Sequence, residues 1–126
     1  MLRFLVGVWF LAAGVVPASA EVFAFRCNSE GAPRAETDPR LVFDTEAQTV
    51  QFFNWQDVRV LFWEERFIGW TGYNIGPEDD YRAVGAALFD RQTNRLAISF
   101  VFSHQFDPDP VYLPNMPLRE CYRPGF

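Results

Sequence analysis

From residue 22 onward the apolar residues come in short runs that alternate with polar ones, and no run carries a helical repeat. Alternation at a spacing of two places one set of side chains on each face of an extended chain, so it predicts β-strands. Eight runs qualify: VFAFRC (22–27), LVF (41–43), TVQFFNW (49–55), VRVLFW (58–63), RFIGWTGY (66–73), RAVGAALFD (82–90), RLAISFVF (95–102) and LRECYR (118–123). Gly, Pro, Asn and Asp punctuate the gaps, as turns require. Eight short strands in about a hundred residues suit an all-β fold, a small antiparallel up-and-down β-barrel or, failing that, a sandwich.

The first twenty residues follow another rule. Arg3 gives a positive start, 4–16 is an unbroken apolar run, and Pro17-Ala18-Ser19-Ala20 ends in a small-x-small pattern, the layout of a cleavable secretory signal peptide. The run is thirteen residues long, against the roughly 20 that a spanning helix needs. The expectation is a signal peptide over 1–20 and a single β-barrel domain over 21–126. The protein is then periplasmic or secreted, monomeric, and without a membrane span after cleavage.

Two cysteines are present, Cys27 and Cys121. In an exported chain two cysteines most simply join, and neither has the CxxC spacing or clustered histidines of a redox pair or a zinc site. A bridge enclosing a loop near 100 residues stabilises by about 4–5 kcal/mol in the chain-entropy model. It would also tie the first strand to the last, which an up-and-down barrel brings side by side.

The formal net charge is −5 and all 11 cations are arginines. An acidic balance argues against nucleic acid and anionic membrane surfaces as partners. The lysine-free composition carries no functional reading.

One unit recurs. LVFDTEAQTVQFF and ALFDRQTNRLAISF share Phe-Asp, four turn residues and a following strand, with Asp44 and Asp90 in equivalent places. An aspartate there accepts backbone N–H bonds two residues on and starts a turn. Between the repeats lies VLFWEERFIGWTGYN (60–74). A hairpin turning at Glu64-Glu65 sets Phe62 opposite Phe67. Val58, Val60 and Phe62 then share a face with Phe67, Gly69 and Thr71, which reads as core. Trp63 and Trp70 fall on the outer face with Arg59 and Arg66, whose guanidiniums gain about 0.5–1 kcal/mol over an exposed indole. These tryptophans are either shielded wall residues or, because Trp and Arg concentrate in binding hot spots, a recognition patch.

Catalytic constellations are sparse. His104 is the one histidine, and its neighbour Ser103 would point to the opposite face of a strand. The carboxylates of Glu78-Asp79-Asp80, and Asp107 with Asp109, match no calcium-loop pattern. The chain is therefore expected not to be an enzyme, with no cofactor and no metal. The segment SHQFDPDPVYLPNMPL (103–118) is stiffened by four prolines and reads as a loop. It is either a lid over one barrel end or a partner surface centred on His104, Asp109 and Tyr112.

An export signal, a meander of about a hundred residues and one terminal disulfide together resemble the small periplasmic barrels of the MliC/PliC-type lysozyme inhibitors. That family inserts a serine-containing loop resembling SGARY into its target. The nearest stretch here, GWTGYN (69–74), has neither the serine nor the arginine, so the resemblance implies fold and location and assigns no inhibitory residue. The hairpin FDRQTNRL ahead of the last cysteine also resembles exported bacterial proteins of no assigned activity. The leading expectation is a binding or inhibitory module acting through its loops on a protein or glycan of the cell envelope. A carrier of a small apolar ligand inside the barrel and an enzyme of undetected type are the alternatives.

Overall fold

The computed structural model describes residues 21–104, 107–113 and 116–124; the expected signal peptide lies outside them. Nine strands follow one another: β1 (Val22–Ser29), β2 (Arg40–Asp44), β3 (Thr49–Phe52), β4 (Gln56–Trp63), β5 (Phe67–Ile75), β6 (Tyr81–Asp90), β7 (Arg95–His104), β8 (Asp107–Leu113) and β9 (Arg119–Tyr122). All pair antiparallel in the order β3-β2-β1-β9-β7-β6-β5-β4, with β8 also on β7.

The nine strands make eight staves. β6 takes one edge of β7 along its whole length, while the other edge is divided: β8 pairs with the stretch from Phe100 to His104 and β9 with Arg95 and Leu96. β8 and β9 run the same way along that edge and form one interrupted stave. The ring closes everywhere except between β3 and β4, which touch without laddering. The result is a small antiparallel β-barrel with one slit.

Asp107–Leu113 is thus strand and not loop, a correction to the reading of 103–118. Its two prolines are tolerated because β8 pairs on one side only and a missing N–H does no harm on a free edge. Cys27 and Cys121 stand directly opposite each other on β1 and β9 and are bonded, so the first and last staves are fastened covalently. Both repeat aspartates start their turns as predicted. Asp44 Oδ1 accepts from the N–H groups of Glu46 and Ala47 at 3.0 and 3.1 Å, and Asp90 Oδ1 from Gln92 at 2.9 Å. The fourth turn residue is left-handed in each, Gln48 at φ 53° and Asn94 at φ 58°.

The interior is aromatic and filled. Phe43 sits at the centre, with ring centroids 4.9 Å from Phe89, 5.9 Å from Trp63 and 5.9 Å from Trp70. Leu41, Trp70 and Leu96 have no exposure at all and block the middle of the barrel. Each large apolar side chain buried this way contributes about 1.5–3 kcal/mol.

The β4–β5 hairpin departs from its predicted register. The turn falls at Glu65-Arg66, closed by the Glu64 N–H donating to Phe67 C=O at 2.8 Å, and Phe62 lies opposite Gly69 instead of Phe67. The faces are also reversed: Ile68 and Trp70 point inward, while Phe67 and Tyr73 are less buried. Two bulges in β4 explain the error. A bulge breaks the alternation of two, so Val60 and Trp63 both turn inward and Leu61 is the extra, exposed residue. The expected pairing of Arg59 and Arg66 with the indoles is replaced as well. Arg66 grips Asp90 through Nε and Nη2 at 3.3 and 3.0 Å, Arg59 lies 3.7 Å from Asp57, and Arg91 takes the place over Trp63.

Candidate functional site

Strand direction gives the barrel two unlike ends. The β3–β4 connection, the 76–80 turn and the end of β7 lie at one. The β2–β3, β4–β5 and β6–β7 turns lie at the other.

At the first end the chain makes a tight turn after β3. Phe53 N–H donates to Arg40 C=O at 2.8 Å and Trp55 N–H to Phe52 C=O at 2.9 Å. The turn forces Phe53 to φ 46°, a left-handed conformation that is uncommon and costly for a bulky residue. The phenyl ring it carries is 62% exposed. Strain that holds an exposed aromatic in place is a mark of functional sites.

Trp55 then folds back over the barrel end. Its indole lies across Gly72 and Gly85, which are paired on β5 and β6. A Cβ on Gly85 would come within 2.6 Å of the indole Cη2, and one on Gly72 within 3.0 Å of Cε3. The indole also meets the Phe52 ring at 5.0 Å and 70°. A short polar relay holds the rim: Asn74 Nδ2 donates to Asn54 C=O at 3.1 Å, and Tyr81 Oη donates to Asn74 Oδ1 at 3.1 Å. Together Phe53, Asn54, Trp55, Tyr73, Asn74 and Tyr81 enclose much of an open cleft of about 180 Å³. No ionisable acid or base lines it apart from the two phenols. Such a site is apolar at its base, neutral, and supplied with amide donors and acceptors.

The residues anticipated from sequence do not form one surface. Trp70 is 0% exposed and is at the centre of the core, so its assignment to an interaction surface is corrected; the β4 bulges shift the register on which that assignment relied. Trp63 is partly buried against Phe43 at the opposite end of the barrel from His104. His104, Asp109 and Tyr112 do share the β7–β8 hairpin and are exposed. Tyr112 faces outward beside Val101, whereas His104 has the strand parity of the inward Phe100 and Phe102. Among the described residues no group of three or more His, Cys, Asp or Glu is placed to hold a metal, and no helix is long and apolar enough to cross a membrane.

Trp55 itself escaped the sequence reading. The available signal was the pair of glycines inside strands, Gly72 and Gly85, since an interior strand glycine often marks a close approach of other atoms. Comparison of the chain with models of known protein families, with curated proteins and with solved structures finds no match.

Proposed function

We propose that the protein is an exported binding module that holds a neutral sugar unit of a cell-envelope glycan in the Trp55 cleft. One observation carries the reading: a partly exposed indole seated on two glycines, ringed by Phe53 and Tyr81 and by the amides of Asn54 and Asn74, with no charge in the lining. A pyranose ring has an apolar face that packs on an aromatic plane and a rim of hydroxyls that needs planar donors and acceptors. The Cys27–Cys121 bond is compatible with an oxidising, exported location.

The test is titration of the mature protein with soluble fragments of envelope polysaccharide, read by tryptophan fluorescence. Saturable binding is expected in the wild type and a loss of about tenfold in Phe53→Ala and Tyr81→Ala, the effect of removing one stacked ring. Equal binding by wild type and both variants would refute the cleft as the site.

A protein partner is a second reading, favoured by the register of the outer wall. Tyr73, Val84, Val101 and Tyr112 stand in one row across β5, β6, β7 and β8 and are all exposed. A contiguous apolar row of this kind suits a protein contact. Capture of a periplasmic protein by the wild type and not by a Val84→Ser/Tyr112→Ser variant would favour this reading over the glycan.

A further inference from the structure

The opposite end of the barrel holds a second cleft, also of about 180 Å³, with another chemistry. Phe25, Phe43, Phe89 and Trp63 form its floor, and Arg91 and Arg123 stand at its rim. The Arg123 guanidinium lies 4.8 Å from the Phe23 ring centroid and 5.8 Å from that of Phe25. Arg91 lies 6.0 Å from the Trp63 centroid, and its Nη1 donates to Glu64 C=O at 2.8 Å. Each cation is thus aimed by a ring contact, and one by a backbone carbonyl.

No carboxylate lines this cleft. Among the described residues Arg59, Arg66, Arg82 and Arg95 each have an acidic partner, while Arg26, Arg34, Arg40, Arg91, Arg119 and Arg123 make no such ion pair; Arg26 and Arg34 share a cleft with Glu36, whereas Arg91 and Arg123 share one that holds no acid. Arginine stems commonly shield rings from water, which accounts for the stacking. It does not account for two like charges converging on one acid-free concavity in a chain of net charge −5. A guanidinium presents a planar fork that matches a carboxylate bidentately, so the missing partner has the chemistry of an anion.

We propose that this mouth binds a small planar aromatic carboxylate, with its ring on the Phe–Trp floor and its carboxylate between Arg91 and Arg123. Size selects the ligand. A cavity of about 150 Å³ lined by apolar groups accepts benzene, so the cleft fits one six-membered ring and its acid group. A long acyl chain has nowhere to go, because Leu41, Trp70 and Leu96 fill the barrel immediately beyond the floor. The site does not depend on the glycan reading: it shares no residue with the Trp55 cleft.

The experiment is a titration of the ¹⁵N-labelled mature protein with benzoate, benzyl alcohol and acetate, followed by heteronuclear NMR. Benzoate is expected to shift the Trp63 indole N–H and the Nε–H signals of Arg91 and Arg123. Benzyl alcohol, which lacks the charge, and acetate, which lacks the ring, are expected to bind about tenfold more weakly or worse, the effect of losing one charge-assisted contact or the ring burial. The double variant R91Q/R123Q should lose benzoate affinity to the same degree while its Trp70 indole resonance, a reporter of the intact core, stays in place. Any of three results overturns the proposal: benzyl alcohol binding as tightly as benzoate, unchanged affinity in the double variant, or no saturable shift at Trp63.

Discussion

The two mouths of this barrel are built from the same material and arrive at opposite chemistries. Each has an aromatic base beside a solid core and a cleft of about 180 Å³. At the Trp55 end the rim is amides and phenols carried by an irregular turn and by the facing ends of β5 and β6. At the other it is two guanidiniums beside regular four-residue hairpins. The backbone differs in the same way. Left-handed residues at the arginine end are Gln48 and Asn94 in repeated turns, and Asn tolerates that conformation well. The Trp55 end places Asp57 and Asp79 there and, unlike the other, a phenylalanine, Phe53. A shared interior therefore fixes the size of both clefts, and the side chains on the turns and strand ends decide what each can recognise.

The largest perturbation tests the partition between them. Trp70→Ala removes a wholly buried indole and is expected to cost about 3–5 kcal/mol, measured by urea unfolding. If the ends are separate because the middle is packed, this variant should weaken ligand binding at both. A smaller effect, about 1–3 kcal/mol for overpacking, is expected from Gly85→Ala, whose methyl collides with the Trp55 ring. It should abolish sugar binding and leave benzoate binding intact; equal damage at both ends would show that the clefts are coupled. Phe53→Gly should instead raise stability by about 1 kcal/mol, since glycine adopts the left-handed turn without strain, while sugar affinity falls. An unchanged or lower melting temperature would remove strain from the description of that end.

The smallest effect is a pH dependence at the arginine end. The Arg66 hydrogen bonds hold the Asp90 carboxyl below the usual carboxylate range, with help from the Gln92 N–H. A carboxylate with a depressed folded-state value contributes stability that is complete above its unfolded value, about 3.9, and lost as pH falls through the folded one. Melting temperature should therefore drop less between neutral and strongly acid pH in Asp90→Asn than in the wild type. Identical slopes would place the acid sensitivity elsewhere, Asp38 being the next candidate, held low by the Ala35 N–H and the Tyr122 hydroxyl.

How much of this was legible in the sequence follows from where alternation holds. In β1, β2, β6 and β7 the buried residues largely alternate, and there period two gave the strands correctly, while the disulfide was legible from two cysteines alone. The turn aspartates were legible because their side chains act on neighbours two residues away. β4 defeated the method. Its two bulges shift the register against β5, so the face assigned by alternation along β4 put Trp70 on the wall although β5 points it into the core. The Asp107–Leu113 strand was hidden by prolines, which exclude a segment from a sheet centre but not from an edge. The clefts were invisible for a different reason. Trp55, Gly72 and Gly85 meet through the pairing of three consecutive strands whose register the β4 bulges obscure, and Arg91 and Arg123 meet only through the pairing of the last strand with the first and the seventh.

The slit between β3 and β4 gives the barrel a mechanical asymmetry. Going round the ring from the cystine, two ladders lead to the slit through β1, β2 and β3, and four lead to it through β9, β7, β6, β5 and β4. The short side is a wing rooted in the β1–β9 ladder and its cystine, with the Phe53–Trp55 turn as its peptide bridge across the gap. Amide exchange should therefore be fastest along β3, and reducing the cystine should loosen the wing and the Trp55 turn while the broad sheet persists.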